Sequence, residues 1–177
     1  NLYRRAEVES MKDAASFMSK SWQIYRCKDF VNDASGSLCE IVDPDDPLDP
    51  VIQALTADSL ILYIEPNPVY ERELKKRART HPKPLFYNPS FITPALTDKP
   101  DDGVGINPLD FARPLFPELL EFRKPRYRKI ANNYGFTIHA DELFQPDEHG
   151  NTLPTAALFL DKVHATVMEQ ASQSETA

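Results

Sequence analysis

Two acidic residues end apolar runs. Asp33 follows Phe30-Val31-Asn32, and Glu65 follows Leu60-Ile61-Leu62-Tyr63-Ile64. In open parallel sheets ligands bind outside the carboxyl ends of strands, so a polar residue in that position is the first candidate for chemistry. An acid there can organise Mg²⁺ and its waters around a nucleotide, which makes Asp33 the candidate catalytic and metal-holding residue. The competing role for Asp33 is to cap the turn that follows it. That turn, Ser35-Gly36-Ser37, offers backbone N–H groups and hydroxyls to an anion, although any tight turn uses the same residues for its own geometry. Arg72, Lys75, Lys76, Arg77, Arg79 and Lys83 form the densest positive stretch. Guanidinium forks match phosphate oxygens in pairs, so Arg72, Arg77, Arg79 and Lys83 are candidate contacts for a polyphosphate. The same stretch also reads as a solvated helix face laced by Glu71/Lys75 and Glu73/Arg77 pairs. A second basic run, Arg123, Lys124, Arg126, Arg128 and Lys129, has the same two readings.

Other chemistries find little support. The sequence contains neither G-x-S-x-G nor H-E-x-x-H, and His81, His139, His149 and His164 are widely spaced. Asp43, Asp45, Asp46 and Asp49 resemble a calcium loop in charge alone, because prolines interrupt them and the closing Glu is missing. Cys27 and Cys39 lie twelve residues apart and fit neither a C-x-x-C pair nor a zinc ligand set. Two cysteines in 177 residues read as free thiols in a reducing, cytoplasmic compartment. A net charge of −7 gives no footprint for a nucleic-acid backbone, and the longest apolar run, Leu60 to Ile64, is too short to span a bilayer. Neither nucleic acid nor membrane is expected as a partner.

The elements that must position these residues can be read from spacing and punctuation. Val8, Met11, Ala15, Met18 and Trp22 step by three and four, which predicts an amphipathic helix over 7–22 with that stripe against the core. Phe30 to Asp33 reads as a short strand. Asp49-Pro50, Asn67-Pro68 and Asn107-Pro108 each place an N-cap residue before a proline, the signature of a helix start. Leu60 to Ile64 reads as a strand buried on both faces of a parallel sheet, parallel to and beside Phe30 to Asp33. A short helix is expected near 90–96. The helix from Asn107 is expected to break at Pro114 and Pro117, and a separate helix to run from Pro125 to Tyr134 with Gly135 as its C′ residue. Phe136 to Ala140 reads as another strand, and 155–169 as the last helix. This order predicts a single α/β domain over 1–171, in three layers with a mainly parallel sheet flanked by helices, and a disordered tail over 172–177.

Taken in order, Phe30-Val31-Asn32-Asp33, Gly36-Ser37-Leu38-Cys39-Glu40, Leu60 to Glu65, the basic helix, Pro82-Lys83-Pro84-Leu85-Phe86-Tyr87, Pro125-Arg126-Tyr127 and Tyr134 to Ile138 form a pattern. It resembles the carboxyl-terminal portion of bacterial P-loop ATPase or small-molecule-kinase-like proteins, over roughly residues 7 to 165. The resemblance implies a nucleotide-dependent phosphotransferase or ATPase with ATP and Mg²⁺ as cofactors, Asp33 at the metal, and Arg72, Arg77 or Arg79 in a lid. It also implies an unidentified small-molecule acceptor. The chain departs from that family in having no G-x-x-x-x-G-K-[ST] loop. The resemblance then implies that the loop lies upstream of Asn1, comes from another subunit, or has been lost with catalysis. The alternative expectation is a non-catalytic interaction or regulatory module on the same fold. Such a module would meet a partner protein, or a second copy, through the aromatic segment 84–91 or the helix 7–22.

Overall fold

Three of the helices start where the side chain before a proline satisfies exposed backbone N–H groups. In the computed structural model, which describes residues 2–34, 36, 38–82, 87–97, 107–145 and 153–174, Asp49 accepts hydrogen bonds from Val51 N at 2.8 Å and Ile52 N at 3.4 Å to open α2 (Pro50–Thr56). We number helices and strands in chain order: α1 spans Leu2–Tyr25, β1 Ile61–Glu65, α3 Pro68–Thr80, α4 Pro89–Thr97, α5 Pro108–Tyr134, β2 Gly135–His139, α6 Ala140–Leu143 and α7 Ala156–Ser174. Asn67 caps α3 by accepting from Tyr70 N at 2.9 Å, and Asn107 caps α5 by accepting from Leu109 N at 3.0 Å. Proline at the first helical position loses nothing there, since its missing N–H would have had no intrahelical partner. Asp49 is also fully buried, and its second oxygen accepts Asp43 N at 3.0 Å, so one side chain both starts α2 and ties the acidic loop before it.

β1 and β2 pair in parallel, with Ile61 opposite Gly135 and Glu65 opposite His139. The long connection through α3, α4 and α5 supplies the crossover that parallel pairing requires. Among the described residues the architecture is therefore largely helical with one parallel strand pair, and the α/β expectation holds at that coarser level. The partner of β1 is β2 and not Phe30 to Asp33. That segment forms no strand, and Phe30 and Val31 stay 43% and 66% exposed. Its two apolar side chains bury too little to hold a strand in place, whereas β2 places Ile138 in the core at 1% exposure. With only two strands among the described residues, β1 is also not buried on both faces: Ile64 is 37% exposed, and Leu60 just before it 67%.

α5 is one continuous helix and carries Pro114, Pro117 and Pro125 inside it. A proline in a helix interior costs about 3 kcal/mol through its missing donor and ring clash. The opposing contribution is a stripe of buried residues, Ala112, Leu119, Arg123, Ile130 and Ala131, which holds the helix against the rest of the protein on both sides of the prolines. Gly135 is not a left-handed C′ residue either; its backbone is extended, with φ −165° and ψ −147°. Glycine is needed there for closeness, since a Cβ would lie 2.8 Å from Ile61 Cβ and 3.0 Å from the Ile61 carbonyl carbon.

The main apolar cluster joins Met11 of α1, Leu38, Cys39, Ile41 and Val42 after the Gly36 turn, Val51, Ile52 and Leu55 of α2, and Ile130 of α5. The expected stripe of α1 is only partly used. Met11 is buried, Val8 and Met18 are half-buried, and Trp22 is 50% exposed. α1 packs on α2 and then runs past it, leaving Phe17, Ile24 and Tyr25 exposed. α7 continues through Ser174, into the stretch expected as a tail. Its Gln170 covers the outer edge of β2, donating to Thr137 O at 2.7 Å and accepting from Thr137 N at 3.3 Å. No helix among the described residues is long and apolar enough to cross a membrane.

Candidate functional site

β1 ends at Glu65 and turns through Pro66 and Asn67 into α3, while β2 ends at His139, the residue that precedes α6. The parallel register places these two last residues side by side at the carboxyl edge of the sheet. Glu65 has a side chain 14% exposed, and its Oε2 stands 3.7 Å from His139 Nδ1. Its Oε1 meets Arg128 of α5 through both Nε and Nη2. This contact holds the guanidinium above its ordinary proton affinity, chiefly through the hydrogen bond to Glu65. Beside it, the Asn67 cap donates to Asp141 of α6 and joins the two loops that follow the strands. Tyr70 donates its hydroxyl to Phe144 O at 3.3 Å, and the two rings lie 5.5 Å apart.

Behind the edge, Tyr63 stacks on Tyr127 of α5 with ring centres 5.6 Å apart. Burial first, and the neighbouring Glu65 charge second, push the Tyr63 hydroxyl up to about 12, so it remains a neutral wall. Lys124 bridges Glu71 at 2.9 Å and Glu121 at 2.7 Å, and Lys75 reaches Glu121 at 3.3 Å. These contacts draw Glu121 below the usual carboxylate range and raise Lys124. A cavity of about 440 Å³ adjoins the edge. Its walls include Ile64, Leu74 and Phe144, and its charged residues are Glu73 and Arg77.

No protein-family model matches this chain, and no curated protein or solved structure does either. A carboxylate already neutralised by Arg128 is well suited to orient an imidazole. With Nδ1 of His139 toward Glu65, Nε2 is left for a ligand, and a side chain 63% exposed can reach one. The 3.7 Å separation is longer than a hydrogen bond, so the contact can orient the ring by charge alone.

The residues singled out from sequence are placed differently from one another. Asp33 is exposed on an irregular segment, not at the end of a strand, so the position that made it a metal candidate is not formed. Ser35, Ser37 and Lys83 lie outside the described residues, as do 84–86 of the aromatic segment. Gly36 accepts a hydrogen bond from Arg123 Nη1 at 2.7 Å, so its turn offers a carbonyl to a cation of this chain. Arg72 and Arg79 are exposed on α3 away from any described ion pair. Arg77 alone of the α3 arginines lines the edge cavity. The expected Glu71/Lys75 pair forms loosely at 3.9 Å, but Glu73 pairs with Lys76 at 3.6 Å, not with Arg77.

The second basic run is explained by structure. Arg123 pairs with buried Glu40, Lys124 with Glu71, Arg128 with Glu65 and Lys129 with Asp45. Arg126 donates to Cys39 O at 2.8 Å and Val42 O at 3.1 Å. Every member of that run braces α5 to another segment. The aromatic segment is likewise turned inward where it is described: Tyr87 stacks on Phe91, and Phe91 meets Phe122 of α5 at 5.2 Å. His139 was legible by the rule that selects Glu65, since it too ends an apolar strand. What the sequence lacks is any sign that the two strands are neighbours.

Proposed function

We propose that the carboxyl edge of the β1–β2 pair binds a small phosphate-bearing ligand, of the nucleotide class that the resemblance implies. Arg77 and His139 would contact it, and Glu65 would orient His139. The observation that carries this reading is the register match of Glu65 and His139, which meet at 3.7 Å beside a 440 Å³ cavity whose wall includes an arginine with no described acidic partner. A guanidinium left without a carboxylate is free to pair with a phosphate, and two strand ends converge on the place where parallel sheets hold ligands.

The phosphotransferase or ATPase activity implied by the resemblance is the finer form of this proposal. Here Asp33 gives way to the Glu65–His139 pair as the polar centre. A resident Mg²⁺ cage does not fit: among the described residues no group of three or more His, Cys, Asp or Glu converges, and Glu65 is committed to Arg128. Magnesium would arrive with the phosphates it accompanies.

The test is calorimetric titration of ADP into the chain in the presence of a chelator. A charge-assisted hydrogen bond contributes about 1.5–3 kcal/mol, so Arg77→Gln should weaken saturable binding about tenfold or more. Asp33→Ala should leave it unchanged. Absence of binding, or binding lost in Asp33→Ala and kept in Arg77→Gln, overturns the reading. The interaction-module alternative is favoured by one observation: Phe17, Trp22, Ile24 and Tyr25 expose apolar surface at the end of α1.

A further inference from the structure

On the other side of Leu74 and Arg77, between α3 and α5, lies a second cavity of about 170 Å³. Leu74, Ala78, Pro82, Ala112 and Phe116 make its apolar wall, and Arg77 and His81 are its polar side chains. A dry apolar cavity of about 150 Å³ accommodates one benzene molecule, whereas a water needs two to four polar partners to settle. This cavity is open to solvent on the side of the exposed Leu74, Arg77 and His81, and its size and mainly apolar lining suit a single small ring or branched alkyl group with one end in water.

Arg77 specifies the head group of such a ligand. Arg77 lacks the carboxylate its position would supply, because Glu73 pairs with Lys76 at 3.6 Å. Arg72 and Arg79 of α3 have no described acidic partner either, but of the three arginines only Arg77 lines the cavity. His81 Nδ1 is engaged by the Thr80 hydroxyl at 2.9 Å. The Thr80 hydroxyl gives its one proton to the carbonyls of Lys76 at 3.2 Å and Arg77 at 3.3 Å, so Nδ1–H donates to Thr80 Oγ1 and the imidazole is tied to the end of α3. A guanidinium on the wall of an apolar slot complements a carboxylate joined to a compact apolar body.

We infer that the α3–α5 slot binds a small apolar monocarboxylate, with its ring or alkyl group against Ala78, Ala112 and Phe116 and its carboxylate on Arg77. The slot does not depend on the carboxyl-edge reading. Arg77 lines both cavities, so the deciding variants are placed at Ala112 and Ala78, which line only this one.

The experiment is an amide-resolved NMR titration of the chain with sodium benzoate, benzyl alcohol and sodium acetate. Benzoate should saturate, with shifts concentrated in residues 74–82 and 112–116. Benzyl alcohol, which keeps the ring and loses the charge, should bind at least about tenfold more weakly, and acetate, which has the charge alone, should not saturate. Ala112→Leu puts an isobutyl group into the slot and should abolish benzoate binding while leaving the circular dichroism spectrum intact. If that variant does not fold, Ala78→Leu makes the same test from the α3 side. Unsaturable benzoate, equal binding of benzyl alcohol, or benzoate binding that survives in a folded slot-filling variant overturns the inference. ADP titration of Ala112→Leu reads the carboxyl edge separately.

Discussion

Arg123→Met tests the strongest electrostatic claim made by the fold. Arg123 is 7% exposed, and its Nε faces Glu40 Oε1 at 2.5 Å while Nη1 donates to Gly36 O at 2.7 Å. The Glu40 side chain is fully buried, and its other oxygen accepts Asn88 N at 2.8 Å. Methionine keeps most of the aliphatic stem, so the main change is the loss of charge and donors. Removing one partner of a buried ion pair leaves an uncompensated charge and costs about 3–5 kcal/mol, and the Gly36 carbonyl loses a bond worth about 1 kcal/mol. The expected destabilisation is therefore about 4 kcal/mol, a large share of the 5–15 kcal/mol typical of a whole domain. Urea unfolding followed by far-ultraviolet circular dichroism, at constant slope, measures it. Adding Glu40→Gln to Arg123→Met removes the stranded charge and should recover about 2 kcal/mol or more. A loss below about 1 kcal/mol for Arg123→Met, or a double variant as unstable as the two single losses added together, would refute the claim that this pair is a dry, mutually dependent contact.

Gly135→Ala should destabilise by about 1–3 kcal/mol, read as a lower Tm, because the new methyl meets Ile61 across the strand pair at 2.8 Å. An unchanged Tm would mean that β1 and β2 can separate at no cost. Cys39 is buried and Cys27 exposed, so iodoacetamide at pH 8 should label the native chain at Cys27 alone, as read by intact mass. Burial, with Glu40 adding to it, pushes the Cys39 thiol from 9.0 up to about 11, and Tyr63 rises from 10.0 to about 12. Both groups are held in their neutral forms by the fold. Their contribution is complete below the unfolded values and is lost as pH rises through the folded ones. Stability should accordingly be level up to about pH 9 and fall between pH 9 and 12, less steeply in Cys39→Ala. Equal steepness in that variant would show that the thiol is not the cause.

What this sequence determined by itself is local. Asp49-Pro50, Asn67-Pro68 and Asn107-Pro108 mark helix starts because an N-cap side chain and a proline act within three residues of each other, and all three caps form. Both strands were legible from their apolar and alternating runs, and Glu65 from its place at the end of one. Tertiary structure decided everything that depends on distant partners. Phe30 to Asp33 has the composition of a strand, yet β1 took β2 as its neighbour because Ile138 could be buried and Gly135 could approach Ile61. The prolines of α5 read as breaks, but its buried stripe holds one helix through them. Charge runs that look alike in sequence were separated by what stands opposite them. The run on α5 finds Glu40, Asp45, Glu65 and Glu71, while Arg77 on α3 lines two cavities and forms no ion pair among the described residues. A cap or a turn is satisfied by atoms a few residues away, whereas the partner of a strand edge or a guanidinium is set by which surfaces the whole chain brings together.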